Sequence, residues 1–405
     1  MTFPRWLTAI YKSIMILYSN QMKARPKIIR TTTVPTSLYT FCLDLFKDLS
    51  SKYEVVAVSS PEIELQQIEE EANIRCIGVP MERSISPFKD LISLWRLMQV
   101  FRKEKPDMVH SMTPKAGLLS MMAAWVTRVP VRIHTFTGLV FPTSTGLKRK
   151  ILMLTDWITC ACATHIIPEG EGVKQDLLQH GITQKELKVL GYGNIKGIDL
   201  KRYDHTPEIT KQAAAIRQKL NIKDDDFTFL FIGRLVGDKG IHELVDAFEG
   251  LSPIYPQIHL ILVGPEEPEL DPLKEETRAK INRIPNIHPV GSQKDVRPWY
   301  AAANALVFPS YREGFPNVVI EAGAMGLPSI VTDINGSREI IMDEVNGVIV
   351  PSKDTPALQK AMENFISHPN QAKEMGEKAR PLVETRYEQS YVWNCLKEFY
   401  QNVLN

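Results

Sequence analysis

The sequence has few cysteines and no long apolar run. Its five cysteines are odd in number and scattered over 405 residues, and Cys160-Ala-Cys162 lacks the spacing of a metal or redox motif. A reduced, cytosolic compartment fits this cysteine usage best. Because no stretch of about 18 uninterrupted apolar residues occurs, no transmembrane helix is predicted. The composition, with 44% hydrophobic and 23% charged residues, is that of an ordinary globular protein.

Charge is nearly balanced over the chain but differs between its halves. The net charge is +1. Residues 1–200 contain 25 Lys and Arg against 18 Asp and Glu, a net +7, whereas the rest of the chain contains 23 against 29, a net −6. This asymmetry predicts different partners for the two halves, with an anionic membrane surface or diphosphate-bearing ligand for the first. No nucleic-acid partner is expected.

The first 22 residues allow three interpretations. Apolar residues from Phe3 to Tyr18 recur at helical spacing, with Arg5 and Lys12 between them. This pattern is typical of an amphipathic helix that lies on an anionic membrane. Alternatively, translation starts at Met22, directly before the first strand. A signal peptide is disfavoured because Lys12 interrupts the apolar region and no small-residue cleavage site follows.

A chain of 405 residues is too long for one typical core, so two domains are expected. Apolar strands alternate with helices from Lys27 onwards, and the same alternation restarts at Phe227. This order predicts an α/β protein with two doubly wound parallel sheets. One predicted helix, over 87–105, places Leu91, Leu94, Trp95, Met98 and Phe101 on one face.

Basic and acidic clusters occur in two further segments. A helix over 146–163 begins with Lys148, Arg149 and Lys150, interpreted either as a solvated helix start or as a contact with anionic lipid. The run Asp224-Asp-Asp226 formally matches an Asp-x-Asp metal motif, but it precedes a strand, at the wrong edge of a parallel sheet for ligands. It is interpreted as a solvated turn, and no metal is expected.

The most informative segment runs from Phe308 to Val331. It is predicted to form a strand that ends at Pro309, a loop containing Glu313, a helix that contains Glu321, and another strand. Ligands of such sheets bind beyond the carboxyl ends of the strands, where helix N-termini favour anions. Carboxylates accept hydrogen bonds from hydroxyl groups. Two acids on either side of an anion-binding helix start therefore predict a sugar nucleotide as the ligand.

A second segment, Gly233-Arg-Leu-Val-Gly-Asp-Lys239-Gly240, also follows a predicted strand and precedes a helix. Its spacing does not match a phosphate-binding P-loop. Arg234 and Lys239 are nevertheless expected at the same edge of the sheet as Glu313. Two fixed cations there can neutralise a pyrophosphate and the charge that develops on a leaving group.

The Glu-x7-Glu spacing within Arg-Glu-Gly-Phe-Pro-Asn-x3-Glu-Ala, together with Gly-Arg-x4-Lys-Gly, resembles the retaining GT-B glycosyltransferases of family 4. The resemblance extends over nearly the whole chain from about Lys23. It implies the GT-B fold, in which two Rossmann-like domains face each other across a cleft. The expected parts are an extension or interfacial helix at 1–24, an acceptor-binding domain at 25–200, a nucleotide-sugar-binding domain at 201–386, and a terminal helix at 387–405 that packs back on the first domain.

The resemblance also implies roles for individual residues. Glu313 holds the transferred sugar, Arg234 and Lys239 grip the donor phosphates, and Glu321 binds the ribose hydroxyls. The segment Gly191–Gly197 resembles the hinge between the domains. The implied catalytic residues are Glu313, Arg234 and Lys239. The implied donor-binding residues are Gly233, Arg234, Lys239, Tyr311, Glu313, Gly314, Phe315, Pro316, Asn317, Val318, Glu321, Val290 and Gly291.

The acceptor side departs from the family pattern. Val34-Pro-Thr-Ser-Leu38 replaces a Gly-Gly pair, and Thr137 stands where relatives carry the histidine of a His-Gly pair. Since threonine is no base near neutral pH, either the donor phosphate takes the acceptor's proton, or His134 or His110 does. The candidate acceptor-binding residues are Thr36, Ser37, His110, Lys115, His134, Thr137 and Gly138.

The expected function is retaining transfer of a sugar from a nucleotide donor, with UDP as the nucleotide and no cofactor or metal. The expected acceptor is an undecaprenyl-diphosphate-linked saccharide in surface polysaccharide synthesis, reached from the cytoplasm by peripheral membrane contact of the basic first domain. Two alternatives stay open. One is an enzyme like the UDP-N-acetylglucosamine 2-epimerases, which share the fold. The other is a non-catalytic sugar-nucleotide-binding subunit of an assembly complex.

Overall fold

The computed structural model describes residues 25–84, 86–267 and 271–405. The predicted interfacial helix and the alternative start at Met22 therefore lie outside the described residues. The chain forms two compact units. The first ends at Ile133 and also includes Val403–Asn405, and the second is His134–Asn402.

Six parallel strands form the first sheet. They are β1 (Lys27–Thr31), β2 (Glu54–Ser59), β3 (Arg75–Gly78), β4 (Met108–Met112), β5 (Val131–Phe136) and β6 (His165–Pro168). Their order is β3-β2-β1-β4-β5-β6, with β1 paired in parallel to both β2 and β4. The strand order therefore reverses between β1 and β4.

Six further parallel strands form the second sheet. They are β7 (Phe227–Ile232), β8 (Ile258–Val263), β9 (Ile287–Gly291), β10 (Ala305–Phe308), β11 (Ser329–Thr332) and β12 (Gly347–Val350). Their order is β12-β11-β10-β7-β8-β9. Every residue of β7 and β8 is buried, which explains why both strands are almost continuously apolar. The order reverses between β7 and β10.

Helices connect most of these strands. Five of them begin with a proline, which is favourable because the first residue of a helix has no use for its N–H. The helices are α1 (Pro35–Leu49), α2 (Ile63–Ala72), α3 (Pro87–Glu104), α4 (Pro114–Val126), α5 (Gly146–Cys162), α6 (Glu171–Gln179), α7 (Pro207–Lys219), α8 (Ile241–Leu251), α9 (Glu275–Arg283), α10 (Arg297–Ala302), α11 (Asn317–Ala324), α12 (Ser337–Ile340), α13 (Thr355–Ser367), α14 (Pro369–Tyr387) and α15 (Gln389–Leu404).

The predicted doubly wound α/β fold is confirmed. The helix expected after the Gly233–Gly240 segment is α8, and a short 3-10 turn at Gly237–Lys239 precedes it, separated from it by Gly240. Gly240 has a φ of 71° and a Cβ there would lie 2.1 Å from the carbonyl oxygen of Pro309. Only glycine fits this close approach, and it fixes the chain directly after Lys239.

The helix predicted over 87–105 is α3, and its predicted apolar face is only partly buried. Leu91 is 64% and Trp95 57% exposed, whereas Leu97 and Phe101 are buried. Periodicity places residues on a common face but does not say which of two apolar faces meets the core. None of the helices within the three described ranges is long and apolar enough to cross a membrane.

Two histidines and an aspartate are linked at the amino ends of β8 and β9. His259 Nδ1 lies 3.0 Å from His288 Nε2, and His259 Nε2 lies 3.2 Å from the carboxylate of Asp226. A carboxylate only accepts, so neutral His259 donates to Asp226 and accepts from His288. Burial, and then the neighbouring His259, lowers the pKa of His288 to about 4, and burial also lowers the pKa of His259. Both rings are therefore neutral at pH 7.

Acidification should destabilise the protein through this histidine pair. The folded-state pKa values lie below the value of about 6.5 in an unfolded chain, so the unfolded state takes up protons first. Stability is then lost as the pH falls from about 6.5 towards 4. We expect His288→Gln, which keeps a side-chain N–H donor but does not titrate, to lose less unfolding free energy between pH 7 and pH 5 than the wild type, by on the order of 1–2 kcal/mol.

Thermal unfolding at both pH values measures this difference. His368→Gln, which replaces an exposed histidine, is the control and should follow the wild type. If His288→Gln lost as much unfolding free energy between pH 7 and pH 5 as the wild type, the lowered pKa of His288 would not be the cause of the acid destabilisation.

Candidate active site

The loops that carry the predicted cations and acids follow two neighbouring strands. The loop of Gly233–Lys239 follows β7, and the loop of Pro309–Pro316 follows β10. Since β7 and β10 pair in parallel, with Leu306 in register with Leu230, both loops leave the same edge of the sheet. This edge lies where the strand order reverses, which is where α/β sheets bind ligands.

An ion pair joins the two loops. The ammonium group of Lys239 contacts Oε1 of Glu313, and both side chains are mostly buried, with 14% and 16% exposed. The hydroxyl of Ser310 donates to the same oxygen over 2.7 Å, and the ammonium lies 5.5 Å from the centre of the Phe308 ring. Glu313 is thus held in one place by two donors. Its spacing predicted the acid, but nothing in the sequence indicated Ser310.

Two arginines add positive charge near this pair. Arg234 donates to Glu267 over 2.6 Å and is 41% exposed. Arg312 donates to Asp238 over 2.9 Å. Their carboxylate partners, Glu267 and Asp238, are 27% and 26% exposed. The loops therefore offer two guanidinium groups and the ammonium of Lys239.

The second acid of the motif has its own partners. Glu321, in α11, accepts a hydrogen bond from the hydroxyl of Tyr300 over 3.0 Å, and Lys196 lies 3.9 Å from its other oxygen. Burial, and then Glu321, raises the pKa of Tyr300 well above its ordinary value. At the start of α11 the amide of Asn194 donates to Asn317 over 3.0 Å. Tyr300 and Lys196 thus orient Glu321, which lies one turn of helix from the N-terminus of α11.

The backbone after β5 lies against the Glu313 loop. A Cβ on Gly314 would be 2.2 Å from the carbonyl oxygen of Thr137 and 2.7 Å from the nitrogen of Gly138, whose φ is 123°. Both positions therefore need glycine. The contact brings Thr137, one of the candidate acceptor residues, to the segment that carries Glu313.

The residues expected near the nucleotide base lie in two places. Val290 and Gly291 end β9, where Gly291 accepts from Gly264 over 3.0 Å. The hydroxyl of Tyr311 donates to Glu243 over 2.6 Å, and Lys353 lies 4.7 Å from the centre of the tyrosine ring. The ring of Tyr311 is thus fixed by its hydroxyl.

Three further candidate acceptor residues lie near the starts of helices in the first unit. Thr36 and Ser37 are in the first turn of α1, where the Thr36 hydroxyl donates to Glu64 over 3.1 Å. Lys115, in the first turn of α4, forms an ion pair with Asp90 of α3 at 2.7 Å. The side chains of Thr36 and Lys115 are thus held by partners in the same unit.

The two candidate histidines are strand residues, each about 1% exposed. His110 of β4 has its Nδ1 3.1 Å from the guanidinium group of Arg30. His134 of β5 meets the ring of Phe136 edge-on, with 4.4 Å between the ring centres. Burial at this level favours a structural role for both.

One acid of this region was not predicted. Glu169 follows β6 and is 4% exposed. Burial, and then the charges of Glu313 and Glu339, raises its pKa to about 8. In the sequence, Glu-Gly-Glu-Gly reads only as a helix start. The acids that perturb Glu169 come from distant segments, so local sequence carries no signal for it.

No group of three or more His, Cys, Asp or Glu side chains that could hold a metal ion occurs in the part of the chain that the structure describes. In the Asp224–Asp226 run, Asp224 and Asp225 are exposed, but Asp226 is tied to His259 and to the N–H of Lys223, 2.8 Å away.

Comparison with known proteins identifies the family. Residues 212–381 match the model for "Glycosyl transferases group 1", and residues 40–193 match the model for a glycosyl transferase 4-like domain. The capsular polysaccharide biosynthesis glycosyltransferase CapM of Staphylococcus aureus is 33% identical over 353 residues, which cover 87% of this chain and 90% of CapM. An Escherichia coli UDP-Gal:alpha-D-GlcNAc-diphosphoundecaprenol alpha-1,3-galactosyltransferase is 28% identical over 298 residues, covering 72% of this chain and 74% of that enzyme.

The fold is also found in solved structures. Anabaena HepE in complex with UDP superimposes with a TM-score of 0.77 at 17% sequence identity, covering 93% of this chain and 100% of HepE. At this identity the likeness shows the fold alone, and it agrees with the two parallel sheets described above. From the two family models and the similarity to CapM, the chain belongs to the group 1 glycosyltransferases, resembles family 4 and has the GT-B fold.

Proposed function

We propose that this protein transfers a sugar from a UDP-sugar, with retention at the anomeric carbon, to a lipid-linked saccharide. The ion pair between Lys239 and Glu313 is the observation that carries the proposal. It brings a cation and an acid together at one sheet edge, which supports a site where Lys239 binds the phosphates and Glu313 the sugar hydroxyls. The start of α11 and Glu321 extend the same edge towards a ribose.

Donor binding exchanges the partners of these charges. The diphosphate takes Lys239 from Glu313 and Arg234 from Glu267, and it also accepts from the N–H groups of α11. Glu313 is then free to accept hydrogen bonds from the sugar hydroxyls. As the bond between the anomeric carbon and the phosphate oxygen breaks, Arg234 and Lys239 stabilise the leaving diphosphate, and Glu313 stabilises the positive charge on the sugar. These two cations supply the charge that a metal ion supplies in other transferases.

The proton of the acceptor hydroxyl goes to the departing phosphate. Thr137 lies at the Glu313 loop and is no base near neutral pH, and both candidate histidines are buried in strands. The phosphate oxygen leaves from the face that the acceptor oxygen attacks, so the new bond has the configuration of the old one. Glu313 positions the sugar and forms no covalent intermediate.

The relatives support the choice of substrates. The name of the E. coli relative gives UDP-Gal as its donor and a diphosphoundecaprenol-linked sugar as its acceptor. CapM is named for capsular polysaccharide biosynthesis, and HepE was solved in complex with UDP. These names favour a UDP-sugar donor and a lipid-diphosphate-linked saccharide acceptor in surface polysaccharide synthesis.

An exposed apolar stripe on α3 supports contact with a membrane. Phe88, Leu91, Ile92 and Trp95 recur at positions i, i+3, i+4 and i+7 and are between 50% and 85% exposed. Lys89 beside them is also exposed. A stripe of this kind binds the interface of an anionic membrane, because the rings enter the headgroup region while the basic side chain meets lipid phosphates.

A similar stripe lies on α5 in the second unit. Leu147, Leu154 and Trp157 are between 53% and 73% exposed, next to the exposed Lys148 and Lys150. The basic helix start noted in the sequence thus adjoins apolar surface rather than a purely polar face. Each stripe, taken by itself, fits contact with the cytoplasmic face of a membrane that holds the acceptor.

Replacing Glu313 by glutamine should separate transfer from nucleotide binding. Transfer should fall by about 10²–10³-fold, as for other lost charge contacts to a transition state. UDP should bind as tightly as to the wild type or tighter, because Lys239 no longer has to leave a carboxylate. Transfer is measured with a UDP-sugar and a lipid-diphosphate saccharide, with the anomeric configuration of the product read by NMR.

Glu249→Gln is the matched control, since it breaks a Lys–Glu pair with Lys280 on α9, outside the active-site loops. It should leave transfer unchanged. Undiminished transfer by Glu313→Gln would contradict the site, and an inverted product would contradict retention. A protein that binds UDP but neither transfers nor hydrolyses any UDP-sugar would instead be a non-catalytic binding subunit.

Serine substitutions in the apolar stripes should weaken membrane binding. Since each buried aromatic or aliphatic side chain contributes roughly 1.5–3 kcal/mol, Phe88→Ser/Trp95→Ser and Leu154→Ser/Trp157→Ser should each reduce binding to phosphatidylglycerol vesicles by tenfold or more. UDP binding should stay the same. Vesicle sedimentation measures the effect.

Ile254→Ser, at an isolated side chain that is 63% exposed, should bind vesicles like the wild type. Equal binding by both stripe variants and the wild type would show that neither helix contacts the membrane.

A further inference from the structure

Glu169 is a buried acid without a role in the steps above. Its N–H donates to the carbonyl oxygen of Phe136 over 3.0 Å, and its carbonyl oxygen accepts from the N–H of Asn194 over 2.8 Å. Its backbone is therefore fixed between the end of β5 and the segment of Asn194. The side chain is 4% exposed.

Two other acids lie within electrostatic reach of Glu169, and both have their own donors. Glu313 is held by Lys239 and Ser310. Glu339 accepts from the N–H groups of Glu171 and Gly172, at 2.7 and 3.1 Å, at the start of α6. The carboxyl group of Glu169, in contrast, has no hydrogen-bond partner among the residues that the structure describes. Among the described residues, Glu169 is thus the one of these three acids whose carboxyl group has no hydrogen-bond partner.

The surroundings keep the Glu169 carboxyl group protonated. Burial, and then the charges of Glu313 and Glu339, raises its pKa to about 8. The ammonium group of Lys239 is already bound to Glu313. A protonated carboxyl group has an O–H donor and a carbonyl acceptor. Among the described residues no protein group pairs with this donor and acceptor, so both are available to a ligand that enters the site.

We propose that the Glu169 carboxyl group binds a hydroxyl group of the transferred sugar and helps to select which sugar is transferred. The proposal rests on the proposed function, in which Glu313 holds that sugar. Glu313 accepts from Lys239 and Ser310, whereas a protonated Glu169 both donates and accepts. The two acids together therefore distinguish the orientation of a sugar hydroxyl, which neither does alone.

The test compares the binding of UDP with that of UDP-glucose, UDP-galactose and their N-acetylamino forms by calorimetry at pH 7 and pH 9. The ratio of UDP-sugar affinity to UDP affinity cancels effects on the diphosphate contacts. The protonated fraction of a group with a pKa of about 8 falls from about 0.9 to 0.1 over this range. We expect the ratio to fall about tenfold in the wild type. At pH 8, binding of the UDP-sugar should take up about half a proton.

Glu169→Gln keeps a donor and an acceptor but does not titrate, so its ratio should be the same at both pH values and no proton should be taken up. Glu169→Leu offers neither a donor nor an acceptor, so its ratio of UDP-sugar affinity to UDP affinity should be lower than that of the wild type at pH 7, at both pH values. Asp156→Asn is the matched control, because Asp156 is another buried acid, with a pKa that burial raises to about 7. It should behave like the wild type.

The proposal would be overturned if the affinity ratio of Glu169→Gln still fell tenfold from pH 7 to pH 9. It would also be overturned if Glu169→Leu had the same affinity ratio as the wild type. A pH effect on UDP alone that Glu169→Gln removes would overturn it too, since Glu169 would then bind the diphosphate. If the wild type binds neither UDP nor any UDP-sugar, the proposed donor is wrong and this inference fails with it.

Discussion

The ion pair between Lys239 and Glu313 connects the two halves of the proposed donor site. Each residue comes from a loop after a different strand, and the strands are neighbours only because the sheet order reverses between β7 and β10. The pair neutralises two charges that would be costly to bury separately. It also holds both groups where a donor can separate them, since a diphosphate competes for the cation and sugar hydroxyls for the acid.

Two close backbone contacts and two buried strands hold this arrangement in place. Gly240 fixes the chain after Lys239 against Pro309, and Gly314 fixes the chain after Glu313 against Thr137. Any Cβ at these glycines would overlap a carbonyl oxygen, so the loops have little freedom to open locally. The fully buried strands β7 and β8 provide the rigid base from which the loops start. Preorganised charges of this kind stabilise a transition state without further reorganisation.

Much of the fold could be predicted because its signals are local. The apolar runs of β7 and β8, the prolines at helix starts and the loop between Phe308 and Asn317 each show their structure within a few residues. Contacts between distant segments gave no such signal. Glu169 is perturbed by Glu313 and Glu339, and Ser310 and Tyr300 are recognisable only from their distances to the two acids of the motif. The sequence also did not show how much of the apolar face of α3 is buried, because the helix has apolar residues on two sides and one of these sides meets solvent.

A crystal structure with a bound UDP-sugar tests the central claim most directly. The diphosphate should lie within hydrogen-bond distance of Lys239 and Arg234, with Glu313 released from Lys239 and in contact with sugar hydroxyls. A diphosphate bound elsewhere, with the ion pair between Lys239 and Glu313 intact, would contradict it.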